Sequence, residues 1–363
     1  MSDNIPFELQ EIIMKKLPVE PLIRFRSVCK AWKSLIDSSD FIRNHITQQK
    51  QQHLLVRYHS LLIRYKKYVS IADIDDDTDT DTGTDTIPPS VVNLVAHHTD
   101  SSHGLLCSFS ETDRKAVIWN PSIRKAVDVV LPDMADDEMY TIVLGFGVCR
   151  ETTDPKIIKI RISSDVEGLI PWQVEVFTLS ARVWRSTYSS NVPSKFVIFD
   201  EEQVVVGGVV YWLANDRVGA EDGHDNLIVL FDLTSEEFGE VKLPDRLAYN
   251  NCRLCMFKPR ESPVVIEGCV EDYKRGYHVW VMKDGVPKLF EKLFTISGHT
   301  PDGSLVSSVL GFRKTGEALV ELQPYGSVGT LAAYEPYSKA FSNLGVSGRY
   351  ISVYSYTKTL LLL

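Results

Sequence analysis

Cys252 and Cys255 form the single CxxC of the chain, a spacing at which two thiolates can reach one zinc ion. A tetrahedral site needs two further ligands at matching spacing, and none accompanies them. Arg253, Leu254, Met256 and Phe257 around Cys255 read as a buried strand, so the pair is expected to be structural. His97, His98 and His103 are the only histidines that lie close together. No HExxH and no carboxylate at ligand spacing joins them, and they are read as surface residues. Gly145-x-Gly147 lacks the third glycine and the helix of a dinucleotide-binding turn. The aspartates between 73 and 86 suggest calcium until they are counted from Asp77. Asp79 and Asp81 then fit, but Gly83 falls one residue late for the turn and Pro88 stands where a bidentate glutamate is needed. The expectation is a protein that binds, with no catalytic residues, no metal and no cofactor.

The elements that carry these residues belong to a chain of 363 residues, 44% hydrophobic and 24% charged, long enough for a small module and one large domain. Its net charge of −9 is concentrated. Residues 73 to 86, DIDDDTDTDTGTDT, hold seven aspartates and no base, leaving about −2 for the rest. Such a tract repels itself and has nothing apolar to bury, so it is expected to be a disordered surface loop. No basic stripe is present to neutralise phosphates, which argues against nucleic acid as a partner. Six scattered cysteines without a framework pattern, and a start with neither a basic region nor an apolar core, point to a reducing compartment, cytoplasmic or nuclear. The longest apolar run, Val204 to Ala214, is interrupted by Gly207 and Gly208 and is far short of a membrane span. The closing leucines read as the end of a strand.

Residues 5 to 46 hold three apolar helical stripes and two proline breaks. The first stripe is Ile5, Leu9, Ile12 and Ile13, with Asn4 as cap and Pro6 in the first turn, and it stops at Leu17 and Pro18. A short helix follows from Glu20 to Phe25. A third carries Val28, Trp32, Leu35 and Ile36 on one face. So small a unit cannot bury all these side chains by itself. It must pack on the rest of the chain, on another protein, or on both.

The run IPFELQEIIMKKLPVEPLIRFRSVCKAWKSLI, with Phe41 and His45-Ile46 behind it, resembles a plant F-box, with Ile5 where leucine is commoner. The resemblance implies docking on a Skp1-type adaptor, and through it on a cullin and a RING protein, by Pro6, Leu9, Ile13, Leu17, Pro18, Val28 and Trp32. The chain has no RING-type cysteine-histidine ladder of its own.

Beyond the acidic tract the chain turns to short β-patterned segments that repeat. Segments 117–132, 174–187, 227–244, 279–294 and 331–346 each read as strand, tight turn, strand. Their equivalent positions, Asn120, Thr178, Asp232, Met282 and Glu335, are spaced by 50 to 58 residues, the length of a four-stranded propeller blade. Segments 104–109, 209–214, 253–257 and 318–322 read as inner strands, apolar on both faces. Segments 144–149 and 310–322 read as the openings of units. Gly207-Gly208 occurs once, so it is read as a bulge or a close backbone approach and not as a kelch signature. The expected architecture is therefore α+β and multidomain: a helical module over 1–48, a connecting segment over 49–99, and a mainly antiparallel, propeller-like β-repeat domain over 100–363.

This second part resembles the plant F-box-associated interaction domain, through Gly104 to Cys107, Trp119-Asn120-Pro121, Gly145-Phe146-Gly147, Val209 to Leu213, Phe231-Asp232-Leu233 and Val279 to Met282. Where that family has an aspartate-tyrosine-lysine run, this chain has Asp154-Pro155-Lys156 after Thr153. The resemblance implies a substrate-recognition domain in a ubiquitin ligase, without chemistry of its own and with an unknown client protein. The alternative is an adaptor that binds or sequesters a ligand without degrading it. Tryptophans 119, 172, 184, 212 and 280 are expected to wedge between β units. Loops carry binding more often than strands. Among them Met134–Tyr140, Asn215–Asn226 and Gly298–Gly303 are the candidates, with Asp136, Asp137, Glu138, Glu221, Asp222 and Asp225 as the acidic complement to a basic client.

Overall fold

The computed structural model describes residues 5–48, 52–59, 66–72, 80–81, 98–110, 112–132, 140–163, 170–187, 192–193, 196–216, 225–249, 253–259, 262–271, 274–285, 288–323 and 328–362. Four helices come first: α1 (Phe7–Lys15), α2 (Val19–Phe25), α3 (Lys30–Ile36) and α4 (Ser39–Gln48). Pro6 is the N-cap of α1 and Pro18 that of α2, so each proline sits where its missing N–H costs nothing. Cys29 caps α3, its sulfur accepting from the Trp32 N–H at 3.4 Å.

Among the described residues after these helices, the chain runs in strands that pair mostly antiparallel, with one single-turn helix. Strands β1 (Gln52–His59), β2 (Lys66–Ala72) and β3 (Thr80–Asp81) lie within the segment read as a connection. Of the acidic tract, only Thr80 and Asp81 are among the described residues, and they pair with Ile71 and Ser70. Sheet I follows, with β4 (His98–Ser102), β5 (Leu105–Ser110), β6 (Lys115–Asn120) and β7 (Lys125–Val130). Sheet II is β8 (Tyr140–Val148), β9 (Pro155–Ser163), β10 (Gln173–Thr178) and β11 (Val183–Ser186). Sheet III is β12 (Val197–Val206), β13 (Val209–Asp216), β14 (Asp225–Asp232) and β15 (Phe238–Lys242), after which α5 (Asp245–Ala248) makes its single turn. Sheet IV is β16 (Leu254–Phe257), β17 (Val264–Glu271), β18 (Lys274–Lys283) and β19 (Leu289–Ser297). Sheet V begins with β20 (Leu305–Phe312), β21 (Ala318–Gln323), β22 (Gly329–Glu335) and β23 (Ala340–Thr357), and β1, β2 and β3 follow β23 in its order.

The five segments read as strand, turn and strand are β6–β7, β10–β11, β14–β15, β18–β19 and β22–β23, the third and fourth of the successive strands that build each sheet. In four of them the turn is the same device. The fifth residue of each turn, Arg124, Arg182, Glu236 and Lys339, takes φ between 53° and 59°. That left-handed residue lets a short turn match the twist of its flanking strands. The first residue often fastens the turn, as Asn120 Oδ1 accepts the Ser122 N–H and Asp232 Oδ1 those of Thr234 and Ser235. Gly207 and Gly208, at φ 59° and 84°, form the two-residue turn of the β12–β13 hairpin in place of a bulge, and the close backbone approach is present at Gly208, where a Cβ would sit 3.2 Å from the Arg150 N. Segment 253–257 is also corrected. It is β16, the outer strand of sheet IV, and the inner position belongs to β17.

Two compact units divide the chain, residues 1–55, 69–132 and 354–363 in one, and 56–68 and 133–353 in the other. In the second, the apolar faces of adjacent sheets close on each other. Ile158, Ile160, Val174 and Val176 meet Val210, Trp212, Val229 and Phe231 between sheets II and III, with Trp172 edge-on to Phe199 and Phe238. Val204, Leu213 and Ile228 meet Leu254, Met256, Val265 and Met282 between III and IV, and Trp280 packs against that cluster. Val264, Ile266 and Val279 meet Val306, Val320 and Ala332 between IV and V. The tryptophan wedges at 172, 212 and 280 are therefore observed, whereas Trp184 tilts against Phe177 of its own sheet.

Candidate functional site

The helical module is held by a small core whose composition explains what it leaves outside. Met14 of α1, Val19 and Leu22 of α2, Ile36 of α3 and Phe41 of α4 are fully buried, and Leu360, far along the chain, is buried with them. Leu17, Phe25, Trp32 and Leu35 pack around this cluster, as does Ile123 from the β6–β7 turn. Trp32 leans on Phe25 with ring centroids 5.2 Å apart, and its indole N–H donates to Gln10 Oε1 at 2.7 Å. Arg26 and Asp37 join the ends of α2 and α3 with two bonds of 2.5 and 2.9 Å, and the guanidinium holds the Asp37 carboxyl below its ordinary range. His45 is fully buried and donates from Nε2 to the Leu17 carbonyl at 2.8 Å. Burial pushes its pKa down, against the opposing pull of that bond.

Residues 354–363 fasten this module to sheet I. Both Asn120 Nδ2 hydrogens are used, on the carbonyls of Thr359 at 3.0 Å and Leu361 at 2.7 Å. Lys358 pairs with Glu20 of α2. Gly104, at φ 79°, comes so close to the Thr357 carbonyl that a Cβ there would sit 2.0 Å from it. The closing leucines, expected to end a strand, instead lie beyond the end of β23 at Thr357, where Leu360 and Leu361 are buried against other parts of this unit.

With Met14 directed inward, the rest of the apolar stripe on α1 is left in solvent. Ile5, Leu9, Ile12 and Ile13 are each about half exposed, at 49 to 52%, and Phe7 reaches 43%. Large apolar side chains are rarely left out in such a run unless something covers them. Of the seven residues singled out from the sequence, Pro6, Leu9, Ile13, Pro18 and Val28 are exposed, and Leu17 and Trp32 are half-buried. Val28 corrects the third stripe: it precedes α3 and is 60% exposed, so Trp32, Leu35 and Ile36 alone turn towards the core. Phe7 belongs to the outward set and was missed. Its partners at Ile12 and Leu9 were the available signal.

The family model described as F-box domain matches residues 2–44. The model described as F-box associated beta propeller domain matches residues 62–310. This chain belongs to the F-box associated beta propeller family. Its five successive sheets are the propeller-like repeat, and the four helices ahead of them are the F-box. An F-box/kelch-repeat protein of Arabidopsis thaliana is 25% identical over 321 residues, covering 82% of this chain and 80% of its own length. The F-box protein CPR1 of the same plant is 27% identical, with coverages of 81% and 73%. Among solved structures, TolB of Acinetobacter baumannii matches 91% of this chain and 73% of its own at a TM-score of 0.46 and 10% identity, too distant to carry an argument.

In the propeller-like domain, Asp225 opens β14, half-buried and paired across the ladder with Asp216. Asp136, Asp137, Glu138, Glu221 and Asp222 lie outside the described residues. The Gly298–Gly303 loop is a tight turn in which the Thr300 hydroxyl bonds to Asp302 and its N–H to the Ser304 carbonyl. Cys252 and His97 also lie outside the described residues. Cys255 is half-buried and its thiol is pushed up to about 12 by burial. Among the described residues, no three histidine, cysteine or acidic side chains are grouped to hold a metal, and no helix is long and apolar enough to cross a membrane.

Proposed function

We propose that this F-box protein is the substrate-recognition subunit of a Skp1–cullin–F-box ubiquitin ligase. The F-box docks on the Skp1-type adaptor through Pro6, Leu9, Ile13, Leu17, Pro18, Val28 and Trp32, the β domain holds a client protein for ubiquitination and degradation, and the chain itself catalyses nothing. One observation carries the reading: Ile5 just ahead of α1 and Leu9, Ile12 and Ile13 within it stay half in solvent, while Met14 is the residue α1 buries in the module's core. Such a stripe gains its hydrophobic stabilisation on a partner, at about 25 cal/mol for each Å² covered. Cytoplasm and nucleus, where adaptor and proteasome are found, are the compartments this requires. For the client, the proposed surface is the interstrand loops with Asp136, Asp137, Glu138, Glu221, Asp222 and Asp225, a complement to basic segments.

Ile13→Asp is the cleanest test, because Ile13 contributes little to the internal core. The variant is expected to keep its melting temperature and to lose adaptor capture in a pull-down, since a carboxylate at an apolar interface costs several kcal/mol. Leu17→Asp, half-buried on the core, is expected to lose both. Capture of adaptor by Ile13→Asp at the wild-type level removes the docking face. Adaptor and cullin co-purifying while no client accumulates on proteasome inhibition favours the non-degradative adaptor.

A further inference from the structure

Sheet IV contains a constellation that the docking and recognition roles do not use. Glu267 and Cys269 on β17 and His278 on β18 project from one face of the sheet, with Glu267 and Cys269 paired in register with His278 and Gly276. Cys269 Sγ lies 3.5 Å from His278 Nε2, and His278 Nδ1 lies 3.1 Å from Glu267 Oε2. The carboxylate is 2% exposed. It also accepts from Trp280 Nε1 at 3.1 Å and from Arg246 Nε of α5 at 3.2 Å. Arg246 Nη2 lies 3.0 Å from His278 Nδ1. The three bonds to His278, Trp280 and Arg246 lower the Glu267 pKa although burial raises it, so the acid is ionised.

We propose that Cys269 is a reactive thiol, activated by His278 with Glu267 as its orienting acid, and that it is a site of oxidation by hydroperoxides. Both tautomers of His278 lead to this. If Nδ1–H donates to Glu267, Nε2 is a base facing the sulfur. If Nδ1 accepts from Arg246, Nε2–H donates to the sulfur and stabilises the thiolate. A thiol made nucleophilic by an oriented imidazole is the arrangement that raises cysteine reactivity. Cys269 is half-buried and Gly276 opposite it has no side chain, its Cα carrying space that a Cβ would take 3.4 Å from the sulfur. In the reaction the sulfur attacks the distal oxygen of the peroxide, the S–O bond forms and the O–O bond breaks. The thiol proton leaves on the water or alcohol released, and sulfur is oxidised by two electrons to a sulfenic acid. Arg275 and Tyr277 of β18, and Cys255 of β16 paired with Ile266, belong by alternation to the opposite face of the sheet. Burial raises the Tyr277 hydroxyl; Arg275 opposes that, and the two thiols add to it.

The test is peptide-resolved alkylation of the full chain by iodoacetamide as a function of pH, with exposed Cys29 as the internal reference and buried Cys107 as the inert one. At neutral pH Cys269 is expected to react on the order of tenfold faster than Cys29, with its inflection at lower pH. Hydrogen peroxide followed by dimedone should label Cys269 first. His278→Asn is expected to return the Cys269 rate to that of an ordinary thiol while leaving Cys29 unchanged, and Glu267→Gln to give an intermediate rate. Should either variant fail to fold, the wild-type profile decides. A Cys269 rate no greater than that of Cys29 with the same pH profile overturns the proposal, as does an acceleration that survives His278→Asn in a folded protein.

Discussion

His45, buried in the F-box, is the side chain from which a sensitivity to acid is expected. Its imidazole is held neutral by burial among Leu17, Phe41 and their neighbours, and its pKa lies below the ordinary 6.5. A group whose folded value is depressed stabilises fully above its unfolded value and loses that contribution as pH falls through the folded one. Adaptor capture and module stability are therefore expected to be level above about pH 7 and to decline towards about pH 5.5. Thermal melts at the two pH values check this, and a flat profile would mean that His45 carries its charge without cost. The sequence placed His45 behind the F-box run, but could not say that it was buried, because its partner is a carbonyl 28 residues away. The same holds for Glu267. A glutamate in VVIEGCVE makes that stretch look less apolar than RLCMF, although VVIEGCVE is the inner strand of sheet IV. Arg246 of α5 and Trp280 of β18 donate to the charge and His278 lies against it, and none of the three is visible in the local pattern.

At the scale of elements, the legible parts were those whose signals are local. The five strand-turn-strand segments are legible because each is two apolar strands about a short turn, four of the turns with a left-handed residue at a fixed offset, and four of the hairpins lie at the edge of a sheet. The F-box helices were legible from their stripes and prolines, apart from Val28. What was not legible depends on contacts distant in sequence. Leu360 fills the F-box core, yet nothing in the closing leucines suggests a helical neighbour more than 300 residues earlier. Leu360→Ala is expected to cost about 2–5 kcal/mol of the module's stability, the range for a buried leucine. Limited proteolysis should then cut first within residues 5–48, and adaptor capture should fall while far-ultraviolet circular dichroism keeps its β signal. An unchanged proteolysis pattern would separate the leucine from the module.

For the molecule as a whole, strands β1 and β2 matter most to how it can be divided. In sheet V, Arg57 donates to Ser352 at 3.1 Å and His59 meets Tyr350 edge-on at 5.4 Å. A fragment beginning at residue 90 lacks these strands, whereas one beginning at 52 keeps them. The shorter fragment is expected to melt at least several degrees lower and to expose the β23 edge, which invites association. The longer one is the proper probe of whether client capture resides in the β domain alone. Equal melting temperatures for the two would show that β1 and β2 are dispensable.

The burial of Leu360 beside Leu22 and Met14 has a consequence in time. The F-box helices leave the ribosome first, but Lys358 follows Glu20 by 338 residues. At roughly 5–20 residues per second, roughly 20 to 70 seconds separate the emergence of α2 from that of the segment that closes its core. During synthesis the F-box helices wait without the leucine that completes their core, and a chain interrupted before residue 360 never receives it. Completion of the β domain and completion of the F-box core thus become one event, so that a chain with a closed helical module is one that has already made all five sheets.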